Sequence, residues 1–134
     1  MASIYVARSV KAGKWASDVG LGKNIFKLGV TNGEPKHEAA AGWAGETDWS
    51  IVKAEPVDGM DEEQAINRLA VTERMIDPDL YPKLKGTRGV FRVNPVKVEN
   101  HIVVARALSG EGELKAVKLK PADFAAYLIA NAKR

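Results

Sequence analysis

The sequence predicts one mixed helix-and-strand domain, and three observations predict it. Its 134 residues suit a single domain with one modest core and at most two packed layers. Short runs that alternate apolar and polar residues mark strands, and longer runs with apolar residues three and four apart mark helices. Apolar residues make up 46% and charged residues 28%, which argues against a disordered, collagenous or coiled-coil chain.

The first run, Ser3 to Arg8, places Ile4 and Val6 on one side and Tyr5 and Ala7 on the other, as a strand does. Residues 9–23 hold Gly13, Gly20 and Gly22 among Lys11, Lys14 and Lys23, a composition that predicts an exposed loop anchored only by Trp15. A second strand follows, with Phe26, Leu28 and Val30 opposite Lys27, Gly29 and Thr31. Pairing the two strands as a hairpin with a common apolar face puts Tyr5, Lys27 and Thr31 together on the other face.

Asn32-Gly33 marks a turn, and Glu34-Pro35 opens a short helix that Gly42 ends after Ala41. Trp49, Ile51 and Val52 suggest a third strand over Asp48–Glu55. Asp61 and Gln64 form a capping box for a helix running to about Met75, with Ile66 and Leu69 as its buried stripe. Val90, Phe91 and Val93 indicate a short strand, and Pro95–Ala107 a helix. Leu114–Leu119 alternates like a strand, and Pro121–Ala132 carries Phe124, Tyr127 and Leu128 at helical spacing.

Composition narrows the chemistry. No stretch approaches the ~18 apolar residues that span a bilayer, and Met1-Ala2-Ser3-Ile4-Tyr5 lacks the marks of a signal peptide, so the expected location is the cytoplasm, with no membrane partner. With no cysteine and only His37 and His101, thiolate catalysis and sulfur-held zinc are excluded and any metal must be held mainly by oxygen. The net charge of +3 is modest, but its distribution is uneven. Residues 1–80 carry 9 basic and 13 acidic side chains, whereas residues 81–134 carry 11 and 4. A polyanion such as nucleic acid would favour that second part, although a plain solvated basic face has the same composition.

Familiar catalytic signatures are missing. Gly20-Leu21-Gly22-Lys23 has Ser17 where a phosphate loop needs its first glycine and Asn24 where it needs Ser or Thr. No Gly-x-Ser-x-Gly elbow occurs. What stands out instead is an ordered set of segments: Ile4-Tyr5 on a strand, Lys27-Leu28-Gly29-Val30-Thr31 on the next, Glu62-Glu63 opening a helix, then Glu63-Gln64-Ala65-Ile66-Asn67 and Gly86-Thr87-Arg88-Gly89-Val90-Phe91-Arg92-Val93-Asn94-Pro95.

This set resembles the GIY-YIG superfamily, best known as nucleases, in the branch whose second motif reads Lys-Ile-Gly. The resemblance covers roughly residues 3–95, and residues 96–134 read as a basic strand-helix extension packed on the same domain. It implies an α+β fold, a small central antiparallel sheet of about three strands flanked by helices, with both motifs and the glutamate helix on the active face. It also implies a divalent cation, Mg²⁺ or Mn²⁺, held by the glutamate on a scissile DNA phosphate, while a motif tyrosine activates water and an arginine steadies the phosphate charge.

Carried over by position, Tyr5 stands at the first motif tyrosine and Lys27 at the second. Motif spacing assigns the metal to Glu63, with Asn67 in the place of the usual histidine, whereas the helical period from Ile66 and Leu69 puts Glu62 nearer the buried stripe. Lys36 or His37 lies near the position of the missing arginine. Ser3 for the motif glycine, Asn67 for histidine and the lost arginine are departures that weaken the case for cleavage. Each residue also has a plain reading, as an amphipathic strand residue, a solvated lysine or a carboxylate complementing a helix dipole.

In the extension, Lys115, Lys118 and Lys120 sit at alternate or nearby strand positions and could track phosphates or guard a sheet edge. Trp43 and Trp49 suit core packing better than base stacking. The expected function is therefore action on DNA by a GIY-YIG-like domain, as a metal-dependent phosphodiesterase with a degenerate site. The alternative is a module that binds DNA or a protein and breaks no bond.

Overall fold

The computed structural model of the chain describes residues 2–110 and 118–133. The fold is α+β, with five helices and one open antiparallel sheet among the described residues. In chain order the elements are β1 (Ala2–Arg8), α1 (Val10–Asp18), β2 (Ile25–Thr31), α2 (Pro35–Ala41), β3 (Ser50–Val57) and α3 (Glu62–Ala70). These are followed by β4 (Arg74–Met75), a 3₁₀ turn at Pro82–Leu84, β5 (Val90–Arg92), α4 (Pro95–Leu108) and α5 (Pro121–Ala132). The sheet runs β3-β1-β2-β5-β4, five strands rather than about three, because the short β5 and β4 extend the three long ones.

The hairpin register follows the alternation of the sequence. Ser3 pairs with Thr31, Tyr5 with Gly29 and Ala7 with Lys27, so Tyr5, Lys27 and Thr31 share one face. On the opposite face Ile4, Val6, Phe26 and Leu28 enter a core with Ile66 and Leu69 of α3 and Phe124, Leu128 and Ile129 of α5. The chain beyond residue 95 therefore supplies part of the main core.

Two packed layers underestimate the molecule. Helices α1 and α2 cover the second face, where Ala7 and Ile25 meet Ala12, Ala16 and Ala39. Small alanines let these helices lie close to the sheet, so β1 is buried on both sides. This also corrects the expected loop over residues 9–23. Ser9 caps α1 by accepting from the Ala12 N–H at 3.0 Å, and Asp48 takes hydrogen bonds from the Ser9 hydroxyl and, at 3.0 Å, from the Lys11 N–H.

Helix α3 carries the capping box of Asp61 and Gln64 but stops at Ala70 instead of reaching Met75. The chain turns there because Glu73 is drawn inward, its carboxylate accepting from the Tyr127 hydroxyl at 2.7 Å. The expected strand Leu114–Leu119 lies largely outside the described residues, and residues 118–120 are irregular. No described helix is long and apolar enough to cross a membrane.

Candidate functional site

Strand β5 pairs with β2 over Ile25–Lys27, so among the described strands the Gly29–Thr31 end of β2 has no partner on that side. The first turn of α3 closes it. Glu62 reaches around this edge and its Oε1 accepts a hydrogen bond from the Val30 N–H at 3.2 Å. Gly29 makes the approach feasible: a Cβ there would lie 2.7 Å from Glu62 Oε1 and would collide with the Tyr5 hydroxyl and ring. The carboxylate of α3 and the phenol of β1 thus meet over one bare backbone position.

Lys27 completes the group. Its ammonium donates to the Leu28 carbonyl at 2.8 Å, lies 3.6 Å from Glu62 Oε1 and sits 5.4 Å from the centre of the Trp43 ring. Gly89 makes room for this amine at a backbone φ of +86°, where a Cβ would come within 3.1 Å of Lys27 Nζ and 2.6 Å of the Leu28 carbonyl oxygen. The roof is Trp43, stacked on Tyr5 with centroids 5.9 Å apart and set edge-on to Trp49 at 5.4 Å. Trp43 is held by a tight turn, pairing with Glu46 and accepting from the Trp49 indole N–H at 2.9 Å.

The tyrosine and the lysine are buried, at 2% and 3% exposure, while the Glu62 side chain stays 45% exposed. Burial pushes the Tyr5 phenol well above the ordinary tyrosine range, and the carboxylates of Glu62 and Glu38 push it further. Burial lowers the Lys27 ammonium below its usual range, an effect that Glu62 and Glu38 only partly offset.

The residues expected at the site divide clearly. Tyr5, Lys27 and Glu62 converge. Glu63 is exposed and pairs with Arg88, so the helical period and not the motif spacing finds the acid that faces Tyr5. Asn67, one turn beyond Glu63, is exposed, as are Lys36 and His37 on α2. Their neighbour Glu38 is the α2 residue whose charge reaches Tyr5 and Lys27, and it accepts from the Thr31 hydroxyl at 3.1 Å. Where the resemblance implies an arginine, the charge delivered is negative. Lys118 and Lys120 are exposed, the latter just before α5, and Lys115 lies outside the described residues.

This geometry suits a brace better than a general base. A base must bring its pKa toward ambient pH, and burial beside two carboxylates moves the phenol the other way. Mg²⁺ or Mn²⁺ would meet the half-exposed Glu62 carboxylate, already bonded to Val30 and partly neutralised by Lys27. Mg²⁺ needs only one or two carboxylates and completes its shell with water and phosphate oxygens, so what weighs against a cation here is the engagement of Glu62 by Lys27 and the Val30 N–H, not the number of donors. The chain matches no protein-family model, no curated protein and no solved structure.

Proposed function

We propose that this chain is a GIY-YIG-like domain that binds nucleic acid without hydrolysing it, the Tyr5–Lys27–Glu62 group serving to lock β1, β2 and α3 together. The observation that carries the non-hydrolytic part of the reading is the mutual engagement of the three side chains. The phenol is covered by Trp43 and kept protonated, and the carboxylate is already engaged by an ammonium and a backbone N–H. The order of the motifs along the chain supports the family reading, and the excess of cations after residue 80 supports a polyanionic partner.

Binding of a labelled DNA duplex and single strand, followed by fluorescence anisotropy across a salt series, tests it. The expected result is an affinity that falls steeply with salt and shallower dependence after Lys115, Lys118 and Lys120 are replaced by glutamine. Undetectable or salt-independent binding contradicts it. A second reading, a metal-dependent DNA phosphodiesterase, is favoured by one feature: half of the Glu62 side chain is open to solvent beside Tyr5. Chelator-sensitive cleavage would select that reading.

A further inference from the structure

At the far end of the sheet β4 and β5 place two arginines directly opposite each other, Arg74 against Arg92. Directly paired residues project from the same face with Cβ atoms about 5 Å apart, where like charges repel. Neither guanidinium has a hydrogen-bonded or ion-paired partner among the described residues. Both open into a cleft of about 490 Å³ whose walls include Asn24, Asn94 and Lys97. Glu73 also reaches this cleft, but its carboxylate is committed to the Tyr127 hydroxyl at 2.7 Å and to Lys97 at 3.7 Å, and its side chain is 1% exposed. The cleft thus keeps an uncompensated positive pair.

We infer that this cleft is a phosphate anchor that takes a phosphodiester group of a nucleic-acid backbone between Arg74 and Arg92. Planar guanidinium forks match phosphate oxygens two at a time, and an anion between them turns the repulsion of the pair into attraction. Among the described residues no aromatic ring lines the cleft to stack a base, which favours the backbone over a free nucleotide. A second cleft of about 680 Å³ shares Asn24 and Pro95 with the first and carries Arg8, Lys14 and Lys23, with Asp18 its acidic member. Cations lining two adjoining clefts suit a chain of phosphates better than a single one.

The inference rests on the nucleic-acid reading and deepens it, so the test separates the two. Anisotropy titrations of a labelled duplex compare the wild-type chain with Arg74→Gln/Arg92→Gln at several salt concentrations. The double variant is expected to lose about two units of the slope of log K against log salt and roughly ten-fold or more in affinity at low salt. Arg74→Gln alone, at an exposed position, is expected to lose about half of that slope, and it stands in if the double variant fails to fold. Salt-sensitive binding by the wild type with an unchanged slope in a folded variant overturns the anchor and leaves the nucleic-acid reading in place. Absence of salt-sensitive binding by the wild type overturns both.

Discussion

Lys27 and Glu62 form an ion pair 3.6 Å long that ties the middle of β2 to the first turn of α3, with the lysine buried and the acid half in water. Such a pair is asymmetric. Losing the acid leaves a buried ammonium without its nearest counter-charge, whereas losing both charges leaves no buried ion.

Glu62→Gln is therefore expected to cost about 1–2 kcal/mol, less than a fully buried pair because solvent screens the acid. Glu63→Gln, on the exposed pair with Arg88, should stay within about 0.5 kcal/mol. Lys27→Met combined with Glu62→Gln should recover most of the loss. Urea unfolding of the three variants measures each value, and equal costs for Glu62 and Glu63 would contradict the assignment.

Gly29 is the position on which the phenol and the carboxylate rest. Gly29→Ala should destabilise by about 2–3 kcal/mol through overpacking against Tyr5 and Glu62. Adding Tyr5→Ala removes the main obstacle, so the two substitutions should be non-additive in a double-mutant cycle of unfolding free energies. Simple additivity would place Tyr5 away from Gly29.

The raised pKa of Tyr5 sets a pH dependence with a definite sign. The unfolded phenol ionises near pH 10 while the folded one holds its proton, so its contribution is complete below pH 10 and declines as pH rises above it. Ultraviolet titration of tyrosinate should show the same absorbance change up to pH 11 in the wild type and in Tyr5→Phe. In Trp43→Ala the roof is gone, and Tyr5 should titrate closer to 10. A wild-type Tyr5 that ionises near pH 10 in the folded state would contradict this burial.

Burial works against the Asp48 carboxylate, but hydrogen bonds from Ser9 and from the Lys11 N–H outweigh it and hold the group below the usual range. The stability it adds is present above about pH 4 and is lost as pH falls through the depressed value. Ser9→Ala should cost about 1 kcal/mol at neutral pH, the typical cost of losing a helix N-cap. Acid unfolding of Asp48→Asn should show a flatter limb below pH 4 than the wild type.

The legible parts of the fold are those set by short-range pattern. Alternation over Ser3–Arg8 and Phe26–Thr31 specifies the register, because a slip of one residue would turn Ile4, Val6 and Leu28 to the wrong face. Proline and capping signals bracket α2, α4 and α5 to within one residue. Helix α1 is illegible because its buried face is Ala12, Gly13 and Ala16, too small to give an apolar stripe, and its cap is completed by Asp48, 39 residues away. The end of α3 likewise depends on Glu73 meeting Tyr127 across 54 residues.

The site is half legible for the same reason. Tyr5 and Lys27 follow from strand parity and Glu62 from the helical period of Ile66 and Leu69, both local rules. Glu38 and the Trp43 roof depend on how α2 and the turn after it fold back over the sheet. Sequence neighbours Lys36 and His37 carry the more conspicuous chemistry and point to solvent instead.

On the reading proposed above, the interlocked Tyr5–Lys27–Glu62 group leaves a domain that holds DNA and does not cut it. The most direct test of that reading is incubation of end-labelled single- and double-stranded DNA with excess protein in Mg²⁺ or Mn²⁺, read on native and denaturing gels. Retarded DNA on the native gel and full-length strands on the denaturing gel are expected. Chelator-sensitive fragments that disappear in Glu62→Gln and Tyr5→Phe would contradict the reading.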